Sequence, residues 1–193
     1  GWGKGASGLA YPLRAIYTSN RQALTVLSSL STSPEIRDIR ARLALVLNPD
    51  LNRKEQAKFS YGSVESVKKV MAKLRVSPGR YQLTSERAKL PVTLINDFDT
   101  PTVVSLSLIP QNSRMQIENV ENIELAANSR QQLSISVDVI APGSTDVLAQ
   151  FLNKKGQLVG EQSKLELNAT IIDSRVAWFT TAAAILLFLG AIT

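Results

Sequence analysis

The sequence predicts an α+β chain in three segments: a helical region over residues 1–79, an all-β antiparallel sandwich over 80–173, and a single membrane-spanning helix over 174–193. Three observations carry this. Apolar residues recur at intervals near 3.6 up to Gly79 and at intervals of 2 beyond it, the two periods that distinguish an amphipathic helix from a half-buried strand. Clusters of turn formers then punctuate the β segment, as short antiparallel strands require. The final 17 residues, Ala177 to Thr193, contain no charge at all.

In the helical segment, Ser33 is placed to cap a helix. Pro34 suits its first position, where a missing N–H costs nothing, and Glu35 and Asp38 favour its positive end. Ile36, Ile39, Leu43, Val46 and Leu47 form one apolar face with Arg37 and Arg40 off it, and Asn48-Pro49-Asp50 stops the run. A second helix is expected over Ser63 to Val76. It places Val64, Val67, Val70, Met71 and Leu74 on one face and Lys68, Lys69, Lys73 and Arg75 largely opposite, with SPGR as its terminator. Earlier in the chain NRQALTVLSSL reads as a helix, and YPLRAIY as the start of another, with Pro12 near its beginning.

Beyond Gly79 the alternation is clearest in QQLSISVDVIAPG, where Leu133, Ile135, Val137 and Val139 interleave with Ser134, Ser136 and Asp138. LPVTLIN (Val92, Leu94), TVVSLSLI (Val104, Leu106, Leu108) and KLELNATII (Leu165, Leu167, Ala169, Ile171) repeat the pattern. NDFDTP, IPQNS, APGST and NKKGQ separate them as turns. Six to eight short strands of this kind over about 90 residues point to a sandwich of immunoglobulin type. The Cys-Trp-Cys and tyrosine-corner hallmarks of antibody domains are missing from the sequence.

The uncharged tail would run about 26 Å as a helix, slightly short of a hydrocarbon core of roughly 30 Å. Trp178 and Phe179, just after Arg175, fit an interfacial belt, and Ile185, Leu186, Leu187, Phe188 and Leu189 form the apolar body of the expected anchor. The chain starts at Gly1 without an initiator Met or a signal-like stretch. It is therefore expected to be a fragment of a longer protein.

Composition excludes much chemistry. The 193 residues include no Cys and no His, which removes disulfides, thiolate nucleophiles, the commonest neutral-pH base and most transition-metal ligands. The net charge of +6 is uneven: residues 1–79 hold 13 basic and 5 acidic side chains, and residues 80–173 hold 8 and 11. A basic front half of this kind can meet anionic lipid, cell-wall polymer or nucleic acid, although the solvated faces of amphipathic helices are the simpler account.

Individual motifs add little. Asn96, Asp97 and Asp99 in NDFDTP carry oxygens suited to Ca²⁺, but too few alone, and the same residues are ordinary turn formers. GWGKGASG lacks the spacing of a phosphate-binding loop. A Ser-Lys nucleophile needs a buried Lys, whereas the lysines cluster on expected exposed helix faces or in the NKK turn. The basic helix over Ser63–Val76 lacks the interleaved aromatics of a nucleic-acid surface. Asn168-Ala169-Thr170 matches a glycosylation acceptor but falls in an expected strand. No catalytic, metal or cofactor-binding residue is assigned.

The run RYQLTSERAKLPVTLINDFDTPTVVSLSLIP resembles a family of uncharacterised actinobacterial membrane-anchored envelope proteins, grouped as a domain of unknown function. The resemblance rests on LTS at Leu83–Ser85, LPVTLIN at Leu90–Asn96, Pro101 before an alternating strand, NKKGQLVG at Asn153–Gly160, and the apolar tail. It spans Arg80 to Thr193 and implies an extracytoplasmic sandwich on one transmembrane helix, with no catalytic residue. The family's usual flanks, a long extracytoplasmic region upstream and a short basic tail downstream, are not in this sequence.

The expectation is a non-enzymatic, single-pass cell-envelope protein whose sandwich acts as a spacer or interaction module. Its partners would be the lipid bilayer and another envelope or membrane protein or a cell-wall polymer, not nucleic acid, and no cofactor is expected. The alternative is the stalk of a larger envelope enzyme acting on polysaccharide, with its active site upstream. A subunit that uses the helix to join a membrane complex is a third reading.

Overall fold

The computed structural model describes residues 11–170. Three helices come first: α1 (Leu13–Ser28), α2 (Pro34–Leu45) and α3 (Arg53–Met71). Nine strands follow: β1 (Leu74–Val76), β2 (Gly79–Leu83), β3 (Arg87–Asn96), β4 (Thr102–Pro110), β5 (Met115–Ile117), β6 (Val120–Leu125), β7 (Ser129–Val139), β8 (Gly143–Leu152) and β9 (Leu158–Ala169).

The helical expectations hold in kind and shift at their boundaries. YPLRAIY and NRQALTVLSSL are one continuous helix, α1, because no breaker separates them and Leu13, Tyr17, Asn20, Leu24 and Leu27 keep a single buried stripe. In α2, Ile36, Ile39 and Leu43 are buried as the periodicity requires, as is Val46 at its C-terminal cap, while the Ser33 side chain makes no capping hydrogen bond. The helix expected over Ser63–Val76 instead starts ten residues earlier, at Arg53, and ends at Met71. Asn52 and Glu55 form a reciprocal capping box that nucleates it. At the other end, Leu74, Arg75 and Val76 have joined a sheet, where Leu74 pairs with Asn96 and Val76 with Leu94. Val64 is exposed rather than on the apolar face.

The strands expected from alternation are all present: Val92, Leu94, Val104, Leu106, Leu108, Ile135, Val137, Val139, Leu165, Leu167 and Ala169 are buried, and Leu133 is partly so. Strands β5-β7-β3-β1 lie side by side, and β6-β4-β8-β9-β2 form the opposing half. This is the ABED and CFG pairing of an immunoglobulin-like sandwich, extended by one strand at each edge of the second half. Not every pair is antiparallel. Strand β2 runs parallel to β9 from Gly79↔Leu165 to Leu83↔Ala169, and β1 meets β9 in parallel at Arg75↔Glu161. The first strand is split by Ser77-Pro78: proline cannot donate to a ladder, so the chain crosses there from one half of the sandwich to the other.

The crossing depends on Gly160. Its φ of +75° lies in the left-handed region, and a Cβ there would overlap the Leu74 carbonyl oxygen. Helices α1 and α3 both touch β9, and a continuous apolar core runs from Leu13 in α1 to Ala169 in β9. The helices therefore cap one end of the sandwich, at the start of β1, β4, β7 and β9. The chain leaves β9 at the opposite end, where Ala169 lies beside Gly143 and Leu83. A 12-residue strand rising roughly 3.3 Å per residue separates these two poles by about 36 Å.

Among the described residues no helix is long and apolar enough to cross a membrane. The expected anchor, with Trp178, Phe179, Ile185, Leu186, Leu187, Phe188 and Leu189, lies outside the described residues, as do GWGKGASG and Ile171.

Gly160→Ala is expected to lower the unfolding free energy by about 2–5 kcal/mol, adding left-handed strain of ~1–2 kcal/mol to an overpacking cost of ~1–3 kcal/mol. Denaturant unfolding of the variant beside the parent chain measures it. Alkaline stability gives a second check. Burial raises the Tyr81 phenol above its usual 10.0, and Lys164 is raised by its hydrogen bond and charge interaction with Asp146. The folded state thus favours the protonated form of each. Their contribution is full below the unfolded pKa values and fades as pH rises through the folded ones. Tyr81→Phe is expected to flatten the fall in unfolding midpoint as pH rises above about 10.

Candidate functional site

Where the cap meets the sandwich, two features arise from the sequence: a clamp that fixes the joint and a groove beside it. The clamp is the NDFDTP turn. Asn96 is fully buried; its amide donates to the carbonyls of Thr100 (3.1 Å) and Ala126 (3.0 Å), and its oxygen accepts from the Phe98 N–H (3.0 Å). This arrangement drives Phe98 into the core. Lys73 lies over the Phe98 ring at 5.7 Å and pairs with Glu35 of α2. Asp97 accepts from Arg75 at 2.8 Å, and the Ser31 and Thr100 hydroxyls share a hydrogen bond of 2.7 Å.

The turn therefore does not gather oxygens for Ca²⁺. Asn96 uses its oxygen internally, and Asp97 is committed to Arg75. Among the described residues no group of three His, Cys, Asp or Glu side chains could hold a metal ion.

The groove, about 1200 Å³ in volume, runs between α1 and the end of the sandwich. One wall is a polar stripe formed by Thr18, Gln22 and Thr25 of α1 and by Ser29 at its C-terminal cap. They recur at i, i+4, i+7 and i+11, the side of the helix away from its buried stripe. The facing wall is the β8–β9 turn, held rigid by Asn153. This 7 % exposed side chain accepts from the Lys155 and Gln157 N–H groups (2.9 Å each) and donates to the Gln157 side-chain oxygen at 3.0 Å. Lys154 and Lys155 stand exposed at its tip. The floor is aliphatic, from Val26, Leu30, Val103 and Leu125. Among the described residues, Arg21, Lys154 and Lys155 line the groove together with a single carboxylate, Glu124, and none of these three cations forms an ion pair.

One groove residue is unusual. Thr102, at the start of β4, is 5 % exposed, and its hydroxyl has no hydrogen-bond partner. Such a group costs roughly 1–3 kcal/mol when left unsatisfied.

Other expected sites are structural or open to solvent. Asn168 is exposed on β9, where it bonds Gln82 at 3.2 Å. Lys89 donates to Ser136 at 2.8 Å, a Ser-Lys pair that sequence spacing did not single out because 47 residues separate its members. It sits on the solvent face of β3 and β7, without the enclosure that a catalytic lysine base needs.

Residues 14–192 match a family described as a family of unknown function, DUF6049. The chain belongs to the DUF6049 family. The match takes in the helices as well as the sandwich, further than the run from Arg80 that carried the resemblance, so the DUF6049 unit spans the cap, the clamp and the groove. No curated protein matches the chain.

Solved structures similar to this DUF6049 chain include an MSP family member of C. elegans, at 12% identity and TM-score 0.39, over 51% of this chain and 99% of that one. Another is E. coli alpha-2-macroglobulin, at 14% identity and TM-score 0.39, of whose length the chain spans 6% while 51% of this chain is covered. A third is a CARDB domain from Pyrococcus furiosus, at 10% identity and TM-score 0.37, over 50% of this chain and 92% of that one. Likeness at these scores carries no inference about activity.

Asn153→Ala is expected to destabilise the β8–β9 turn by about 1–3 kcal/mol, since it orphans the Lys155 and Gln157 N–H groups. Faster amide exchange at residues 153–157, with exchange in β7 unchanged, is the reading that checks it.

Proposed function

We propose that the DUF6049 chain is a non-enzymatic, single-pass envelope protein in which the sandwich is a rigid spacer, holding the helical cap and its groove away from the bilayer. One observation carries the reading. The cap and the sandwich share one apolar core, and the chain leaves that core at Ala169, at the pole opposite the cap. The uncharged run Ala177 to Thr193 follows within a few residues. A bilayer holding that run would lie next to the Ala169 pole, with the groove about 36 Å further out along β9.

A spacer must resist bending, and a shared core does so where a flexible linker does not. The absence of Cys and His from the sequence supports a non-catalytic role, as does the open setting of Lys89 and Ser136. In this reading the sandwich faces the outside of the cell, which the resemblance to envelope proteins supports, and no nucleic acid is required.

Expression of the full chain beside a version ending at Val176 tests the tether. The full chain is expected in the membrane pellet after carbonate washing, released only by detergent, and the shortened chain in the supernatant. A full chain that stays in the supernatant would sink the proposal. Protease added to intact cells should cut the sandwich; a sandwich cut only after lysis would reverse the orientation.

A further inference from the structure

We infer that the groove between α1 and the β8–β9 turn is a docking site for an acidic, partly apolar segment of another polypeptide. The inference deepens the spacer reading by naming what the presented groove would take. Its test is a solution measurement that does not depend on the tether.

Size comes first. At about 1200 Å³ the groove exceeds the roughly 300–1,000 Å³ typical of small-molecule pockets, and it is a cleft between two elements rather than an enclosed cavity. It suits a stretch of polymer.

Charge narrows the class. Among the described residues, Arg21 on the helix wall and Lys154 and Lys155 on the turn wall face a space containing one carboxylate, Glu124, and the three cations have no ion-pair partners. Complementarity of this sort steers association and selects the sign of the partner. The turn that carries the lysines is already ordered by Asn153, so little conformational entropy is lost when an anion arrives.

The floor distinguishes polypeptide from phosphate or sugar polymer. Val26, Leu30, Val103 and Leu125 give an aliphatic base, and among the described residues no aromatic ring lines the groove on which a sugar could stack. A bare polyanion would leave that base without a partner, whereas Leu or Val side chains between acidic ones would cover it. The hydroxyl and amide stripe of α1, Thr18, Gln22 and Thr25, supplies hydrogen-bonding groups along one wall.

The test uses the full chain in neutral detergent and a fluorescein-labelled peptide of Leu-Glu-Gly-Glu repeats, read by anisotropy. Saturable binding is expected, weakened at least about tenfold in the Arg21→Ala, Lys154→Ala, Lys155→Ala triple variant and by a rise in salt. The same peptide with Ser in place of Leu should bind at least about tenfold more weakly, and polyphosphate should displace the Leu peptide only at a charge concentration at least about tenfold higher than the peptide's own. All three substitutions are at exposed positions, so an unchanged unfolding midpoint certifies that the variant is folded. Absence of saturable binding, or equal binding by the folded variant, would overturn the inference. Displacement by polyphosphate at equal charge together with indifference to Leu would assign the groove to a phosphate polymer instead. A dimer of the chain that the triple variant dissolves would assign it to a second copy.

Discussion

The close approach of the Leu74 carbonyl to Gly160 decides how the two halves of this protein are joined. Helix α3 passes into β1 through only Ala72 and Lys73, so whatever fixes β1 also fixes the helical cap. Strand β1 is held on one side by its ladder to β3 and on the other by its meeting with β9 at Arg75↔Glu161. The second contact needs a residue on β9 with no side chain and a left-handed backbone, which Gly160 provides. From that point the Lys73–Glu35 and Arg75–Asp97 pairs and the burial of Phe98 lock the NDFDTP turn under the cap.

A groove with one helical wall and one wall from a sheet turn keeps its shape only when both ride on the same core. Here the core is continuous, and α1 presents two stripes to different surroundings. Leu13, Tyr17, Leu24 and Leu27 enter the core, while Thr18, Gln22, Thr25 and Ser29 border the groove. The buried Asn20 amide adds a specific link to α3 through Ser63 Oγ at 3.0 Å. A hydrogen bond of that kind fixes the rotation of α1 about its axis better than apolar contact does, because it is directional. The rotation in turn sets which side chains line the groove.

The strands were legible because alternation over five or more residues admits one reading, as in Leu133, Ile135, Val137 and Val139, and the turns because Asn, Asp, Gly and Pro mark them locally. The capping box at Asn52 and Glu55 was equally present in the sequence and gives the true start of α3. The end of α3 was harder. Leu74 continues the helical face of Val67, Val70 and Met71, and only its pairing with Asn96 makes it strand. The split of the first strand carries a local mark in Pro78, but its parallel pairing with β9 joins residues more than eighty positions apart. The groove could not be read at all, since its residues come from α1, the start of β4, the end of β6 and the β8–β9 turn.

What the sequence by itself determined is therefore whatever depends on neighbours along the chain: the order helices then sandwich, the buried face of each strand, the turns, the chemistry excluded by having no Cys or His, and an uncharged C-terminal run. Tertiary structure alone decided the crossing of β1 over β9, the single core shared by cap and sandwich, and the convergence of Arg21, Lys154 and Lys155 on one space. The physical reason is that periodicity reports which side of an element is apolar, whereas the partner that covers that side is chosen by packing between residues distant in sequence.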